Sequence, residues 1–316
     1  MRQNVLDALS GKFPRSIPSK ESLNHPGIIR HVGGFDVFDD TPHAFDIAWR
    51  RLGIDIHVPL PGKNAVRPKV SGGTWDQGNM RYADIGVYPT SMQIEYCPDM
   101  DKSDDDWVFK YDTSGDDFDL NEKITELRAI DTSFRSHFGD QAVMYQLYYT
   151  TLFMWPVVTF SWEPFMMAAA TQPERFDEQL WEPWSHISRK HCEALVAMNE
   201  EVIFCHDDLV MTTGSVFPPD FYERFIFPRY EYIFEPIVKA GKKLVFVCDG
   251  NMDVFLERLL EFPIAAIMFE SPATAYERVL ETWGKAGRGF IGGIATGILT
   301  SGTPEEVRNH TRDVIE

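Results

Sequence analysis

Three short stretches carry the side chains best suited to chemistry. His206, Asp207 and Asp208 close the apolar run EVIFCHDDL (201–209), Cys248, Asp249 and Asn251 close KLVFVCDGN (243–251), and Glu270 and Ser271 close IAAIMFESP (264–272). An imidazole, a thiol and a carboxylate presented together suit zinc or another transition metal with an open coordination position, so His206, Cys248 and Glu270 are the expected metal ligands. A carboxylate pair that ends an apolar strand must be solvated, paired or used. Asp207 and Asp208, with Asp249 and Asn251, are therefore the expected catalytic groups. Tyr148, Tyr149 and Trp162 would line a site for an apolar or aromatic substrate, joined by Thr296. Each residue also has a structural use: Cys248 as a small buried hydrophobe, Glu270 as a helix cap, and the aromatic side chains as core.

Such groups meet only if the chain delivers them to one face. From about residue 140, short apolar runs alternate with longer amphipathic segments, as parallel strands joined by crossover helices do. The predicted strands are 141–153, 201–209, 243–251, 264–272 and 289–297; the predicted helices are 173–199, 218–241, 252–262, 274–287 and 303–316. Pro173 suits a first helical turn and Gly241 a helix end. This spacing fits a doubly wound sheet or a (β/α)8 barrel. The absence of GxGxxG at every strand–helix junction favours the barrel, in which active sites gather at the C-terminal ends of the strands.

The first third is less regular. RSIPSKES (15–22) is a candidate first strand, and 42–60 reads as a helix followed by a strand. The Gly- and Tyr-rich segment 71–100 reads as an inserted β-meander, and DMDKSDDDW as a solvated acidic loop without the spacing of an EF-hand. The whole is expected to form one domain over 1–316, with 71–115 as its insertion.

Bulk properties narrow the function. The 316 residues are 44% hydrophobic and 25% charged, and a formal charge of −18 argues against nucleic acid or an anionic membrane as partner. Four scattered cysteines without CxxC spacing fit a reduced compartment. The start MRQNVLDALSGKFP lacks the apolar core of a secretory signal, and no stretch approaches the roughly 18 to 20 apolar residues that span a bilayer. The expected location is the cytoplasm.

Several segments resemble the uroporphyrinogen decarboxylase superfamily, which includes corrinoid-dependent methyltransferases. NVLDALSGKFPRSIP is similar to that family's opening. HDDLVMTTGSVFPPDFYERFIFPRY is similar to its Asp-Asp segment, VCDGN to its strand-five turn, and GGIATGILTSGTPEEVRNHTRDVIE to its Gly-rich strand and last motif. The resemblance implies a distorted (β/α)8 TIM barrel. Two departures stand out. The decarboxylases carry an arginine-rich segment after the first strand that clamps substrate carboxylates, whereas SKESLNHPG (19–27) has no arginine. The zinc-dependent thiol methyltransferases read His-x-Cys-Gly-Asn at strand five, where this chain has Val247, Cys248, Asp249, Gly250 and Asn251. The family's chain continues through an eighth strand and a last helix, so with seven units up to Glu316 the expectation is either that this segment is absent or that the barrel closes differently.

The expected function is transfer of a methyl group between a small methoxylated or methylated compound and a corrinoid carried by a partner protein, with zinc assisting. A decarboxylase of the uroporphyrinogen type and a non-catalytic binding barrel are the alternatives.

Overall fold

The computed structural model describes residues 2–21, 25–60, 64, 74–77, 80–83 and 96–316, with backbone alone over 74–77 and 80–83. The strands of its main sheets are parallel and follow one another in sequence order. A bridge at Lys20 pairs with β1 (Ile56–His57), which pairs with β2 (Val143–Met144). The same run of chain continues as β3 (Leu147–Tyr148), and a five-stranded sheet then passes through β4 (Val202–His206), β5 (Lys243–Cys248), β6 (Ile264–Phe269) and β7 (Gly289–Ile291). This is a TIM-barrel-like α/β fold. Among the described residues, no strand pairing joins β7 to the Lys20 segment.

Side-chain alternation sorts each strand into two faces. Val143, Tyr145, Val202, Phe204, Val245, Val247 and Ala266 pack together in the lumen. Their sequence neighbours, including Ile203, Cys205, Phe246 and Cys248, pack outward against the helices. Strands buried on both faces have to be apolar throughout, which is why β4 and β5 read as unbroken hydrophobic runs. Truncating a core ring such as Phe204 to alanine would cost about 3–5 kcal/mol.

The lumen floor is made by α1 (Arg2–Ala8), whose Val5 packs there together with Leu9 just beyond its end. A Cβ at Gly289 would lie 2.7 Å from the Ala8 carbonyl oxygen, so only glycine lets β7 approach this helix end. Arg2 ties the helix down through Glu200, which is fully buried, pairs with the guanidinium at 2.8 Å and accepts the Met144 N–H at 2.9 Å.

The helical layer departs from expectation in its breaks. The segment 173–199 is helical but passes through a π-helical turn at Asp177–Trp181 before α4 (Glu182–Leu195; α2 is Leu120–Phe138 and α3 is Met154–Phe160). The segment 218–241 splits into Pro219–Phe225 and α5 (Phe227–Lys239), because Pro228 has no N–H to donate and disfavours helical geometry in the residue before it. The expected strand 141–153 is short, and its last residues turn into α3. Within 71–100, Thr74–Gln77 and Met80–Ala83 form an antiparallel hairpin; the rest of the expected meander up to residue 95 lies outside the described residues. The acidic loop precedes a 3-10 turn, Trp107–Lys110.

Candidate functional site

At the upper end of β4, alternation sends His206 and Asp208 toward the lumen and Asp207 toward the helices. His206 is almost wholly buried, with its ring stacked on that of Tyr149 at 4.5 Å between centroids. Its Nδ1 lies 3.2 Å from the Tyr149 carbonyl oxygen, an acceptor, so Nδ1 carries a proton. Nε2 consequently faces the carboxylates, 2.9 Å from Asp208 Oδ1 and 4.0 Å from Asp249 Oδ2. Burial works against the imidazolium, but the hydrogen bond and charge of Asp208, the Tyr149 carbonyl and Asp249 outweigh it and raise the pKa above the ordinary value.

The DGN turn completes the group. Gly250 adopts φ +87°, and a Cβ there would meet the Val210 carbonyl oxygen at 2.9 Å; the turn therefore packs tightly on the small hairpin Val210–Met211 and Gly214–Ser215. The Asn251 N–H donates to the Met211 carbonyl at 2.9 Å, and the Asp249 N–H donates to Asp208 Oδ1 at 2.7 Å. Asp249 itself is exposed. The walls of the mouth still desolvate its carboxylate in part, and this together with the charges of Asp208 and Glu270 raises its pKa, while His206 and Lys20 pull it down.

His206, Asp208 and Asp249 can place one ligand atom each within 4.8 Å of the others. Ligands that bind a divalent ion at roughly 2.0–2.2 Å need separations of this order, and a histidine whose far nitrogen is held by a carbonyl is the usual metal-binding arrangement. The donors are one nitrogen and carboxylate oxygens, suited to zinc, manganese or iron(II). Zinc therefore fits, but through a ligand set different from the one expected.

The structure separates the other expected residues. Cys248 faces the helices, is fully buried, and burial raises its thiol pKa; it is one position out of phase with the lumen and does not join His206. Glu270 lies at the mouth, 3.5 Å from Thr296 Oγ1, outside the three-residue group. Asp207 is turned outward: its carboxylate accepts the N–H groups of Leu152, Phe153 and Met154 and the Tyr230 hydroxyl, at 2.6–3.1 Å. Burial pushes its pKa up to about 6 against these four bonds. Asp207 thus anchors the start of α3 to β4 rather than joining the lumen carboxylates. The Asn251 side chain closes a local turn by accepting the Asp253 N–H at 3.0 Å. Tyr148 is buried among the helices, bonded to Ser188 at 2.8 Å, and Trp162 packs near Phe153 and Phe165. Of the expected substrate contacts, Tyr149 and Thr296 lie at the mouth.

Two lumen residues escaped the sequence reading. Lys20 extends over the ring of Tyr145, with Nζ 4.1 Å from the centroid. Burial lowers its pKa against the pull of Glu21 and Asp249. Burial, with the charge of Asp249, raises Tyr145 and keeps it a phenol. The strand-end rule, applied to RSIPSKES, would have pointed to Lys20.

The sequence profile of the uroporphyrinogen decarboxylase (URO-D) family matches residues 161–316. No curated protein matches the chain. Among solved structures, a methyltransferase from Methanosarcina mazei shares the fold with a TM-score of 0.59 over 99% of this chain and 97% of its own, at 13% identity. Residues 161–316, which carry the candidate site, are thus similar to the uroporphyrinogen decarboxylase family, and the whole chain shares its fold with the Methanosarcina methyltransferase.

Proposed function

We propose that the protein is a methyltransferase, moving a methyl group from a small methoxylated or methylated compound to the cobalt of a corrinoid carried by a partner protein. The observation that carries this reading is the His206–Asp208–Asp249 group beside Tyr149 at the barrel mouth. It is supported by a fold shared with a methyltransferase. Glu21 and Glu270 add negative charge beyond the group that would hold a metal, which weighs against a polyanionic substrate and so against decarboxylation of a porphyrinogen.

His206, Asp208 and Asp249 would hold a divalent ion, which supplies Lewis acidity toward the methyl-bearing heteroatom. The chain's own residues do the rest. The Tyr149 carbonyl orients His206, the Asp249 N–H orients Asp208, and the half-exposed Tyr149 ring offers an apolar wall to an aromatic donor. Thr296 donates to Glu270 at 3.5 Å, just beyond the end of the strand that pairs with β5.

The test is methyl transfer from a panel of methoxyaromatics and small methylated compounds to free cob(I)alamin, with His206→Ala as control. Transfer by the wild type and its loss in the variant are expected; no transfer from any donor would sink the proposal.

A further inference from the structure

We propose that the Lys20 ammonium receives the oxyanion that the donor leaves behind when its methyl group departs. The inference deepens the methyl-transfer reading and rests on it for the chemistry, though not for its decisive test.

Three observations converge. Lys20 pairs in parallel with Ile56, a lumen residue, and its ammonium comes to lie over the lumen ring of Tyr145. Tyr145, under that ammonium, shares the lumen cluster with Val247, two residues before Asp249 on the same face of β5, and the charges of Lys20 and Asp249 act on each other. The ring beneath it is apolar in its packing, since Tyr145 clusters with Phe204, Val245 and Val247. A charge held in such surroundings acts on a neighbouring charge more strongly than it would in water.

The remaining mouth is rich in carboxylates: Glu21, Asp208, Asp249 and Glu270 all interact with Lys20, His206 or Asp249. Glu21 and Glu270 lie outside the group that would hold the ion, so an oxygen that gains negative charge near them is still repelled, and Lys20 adds compensating charge. In the transfer step, the acceptor's nucleophile supplies the electron pair of the new bond to carbon. The CH3–O bond breaks with its pair left on oxygen, and the resulting phenolate or alkoxide rests against the ammonium until it leaves.

The decisive experiment uses 4-nitrophenol, which is yellow only when ionised, titrated into the wild type, Lys20→Met and Lys20→Arg at a pH below its own pKa. The wild type is expected to bind it as the yellow phenolate. Lys20→Met should bind about tenfold more weakly without the yellow gain, and Lys20→Arg should keep it, which also shows that the barrel tolerates substitution there. Binding of only the neutral phenol by the wild type, or an unchanged yellow gain in Lys20→Met, would overturn the proposal. In the transfer assay, Lys20→Met should lose rate most on methoxybenzenes with basic leaving phenols and least on a methylsulfonium donor, whose leaving group is neutral. Equal loss on all donors would reduce Lys20 to a structural role. A wild type that transfers no methyl group would remove the methyl-transfer reading, with the nitrophenolate titration still deciding whether Lys20 binds an oxyanion.

Discussion

The two faces of β4 and β5 set identical side-chain types to opposite work. Asp208 and Asp249 face the lumen, touch His206 and remain at least partly open to solvent. Asp207 and Cys248, each one residue away, face the helices and are completely enclosed. Asp207 holds three backbone N–H groups and a tyrosine hydroxyl, so it stabilises the architecture that presents its neighbours. In a strand, the parity of a position decides whether a carboxylate can take part in chemistry.

This contrast can be broken experimentally. The largest effect is expected for His206→Ala: methyl transfer should fall by about 10²–10³-fold, in line with loss of a key electrostatic or metal-held group, with a much smaller change in the urea midpoint. A midpoint collapse with intact specific activity would reverse the roles of the two faces. Asp207→Ala should do the opposite, costing about 3 kcal/mol in urea unfolding because it strands buried donors. Cys248→Ala should cost about 1 kcal/mol and leave bound-metal stoichiometry, read by elemental analysis, unchanged. Loss of metal in that variant would return the thiol to the ligand set.

The smallest effect concerns pH. His191 stacks on Tyr148 at 4.5 Å on the helical side, and burial, aided by Lys123, lowers its pKa to about 4 from an ordinary 6.5. The unfolded chain therefore takes up this proton before the folded one does. Its contribution to stability is lost as pH falls from 6.5 toward 4 and is fully present above that window. It should amount to about 0.7 kcal/mol between pH 7 and pH 6 and be absent from the slope of His191→Gln, as followed by thermal melts.

Much of this arrangement was legible in the chain. The alternation of apolar runs and amphipathic segments announced β4 to β7 with their helices, and the strand-end rule led to His206, Asp208 and Asp249. What misled was adjacency. Asp207 and Cys248 are as close to the strand ends as their partners are, and only the phase of the pleat, which apolar runs buried on both faces conceal, tells them apart. Lys20 and Tyr145 were missed for a different reason. The first barrel strand is reduced to one bridge, and β2 and β3 are two residues each, too short to show any period. The break at Pro228 could have been read from that residue; the π-helical turn at Asp177–Trp181 has no such marker.

The helix that floors the barrel bears on how the chain folds. Its Arg2 finds Glu200 and Glu201 some two hundred positions later, and Ala8 and Leu9 meet Gly289 almost at the other end of the chain. Contacts so distant in sequence carry a large loop-closure cost and form late. The apolar side of this helix, Val5 and Leu9, is therefore fully covered only once strands as far along as β4 to β6 have been placed over it.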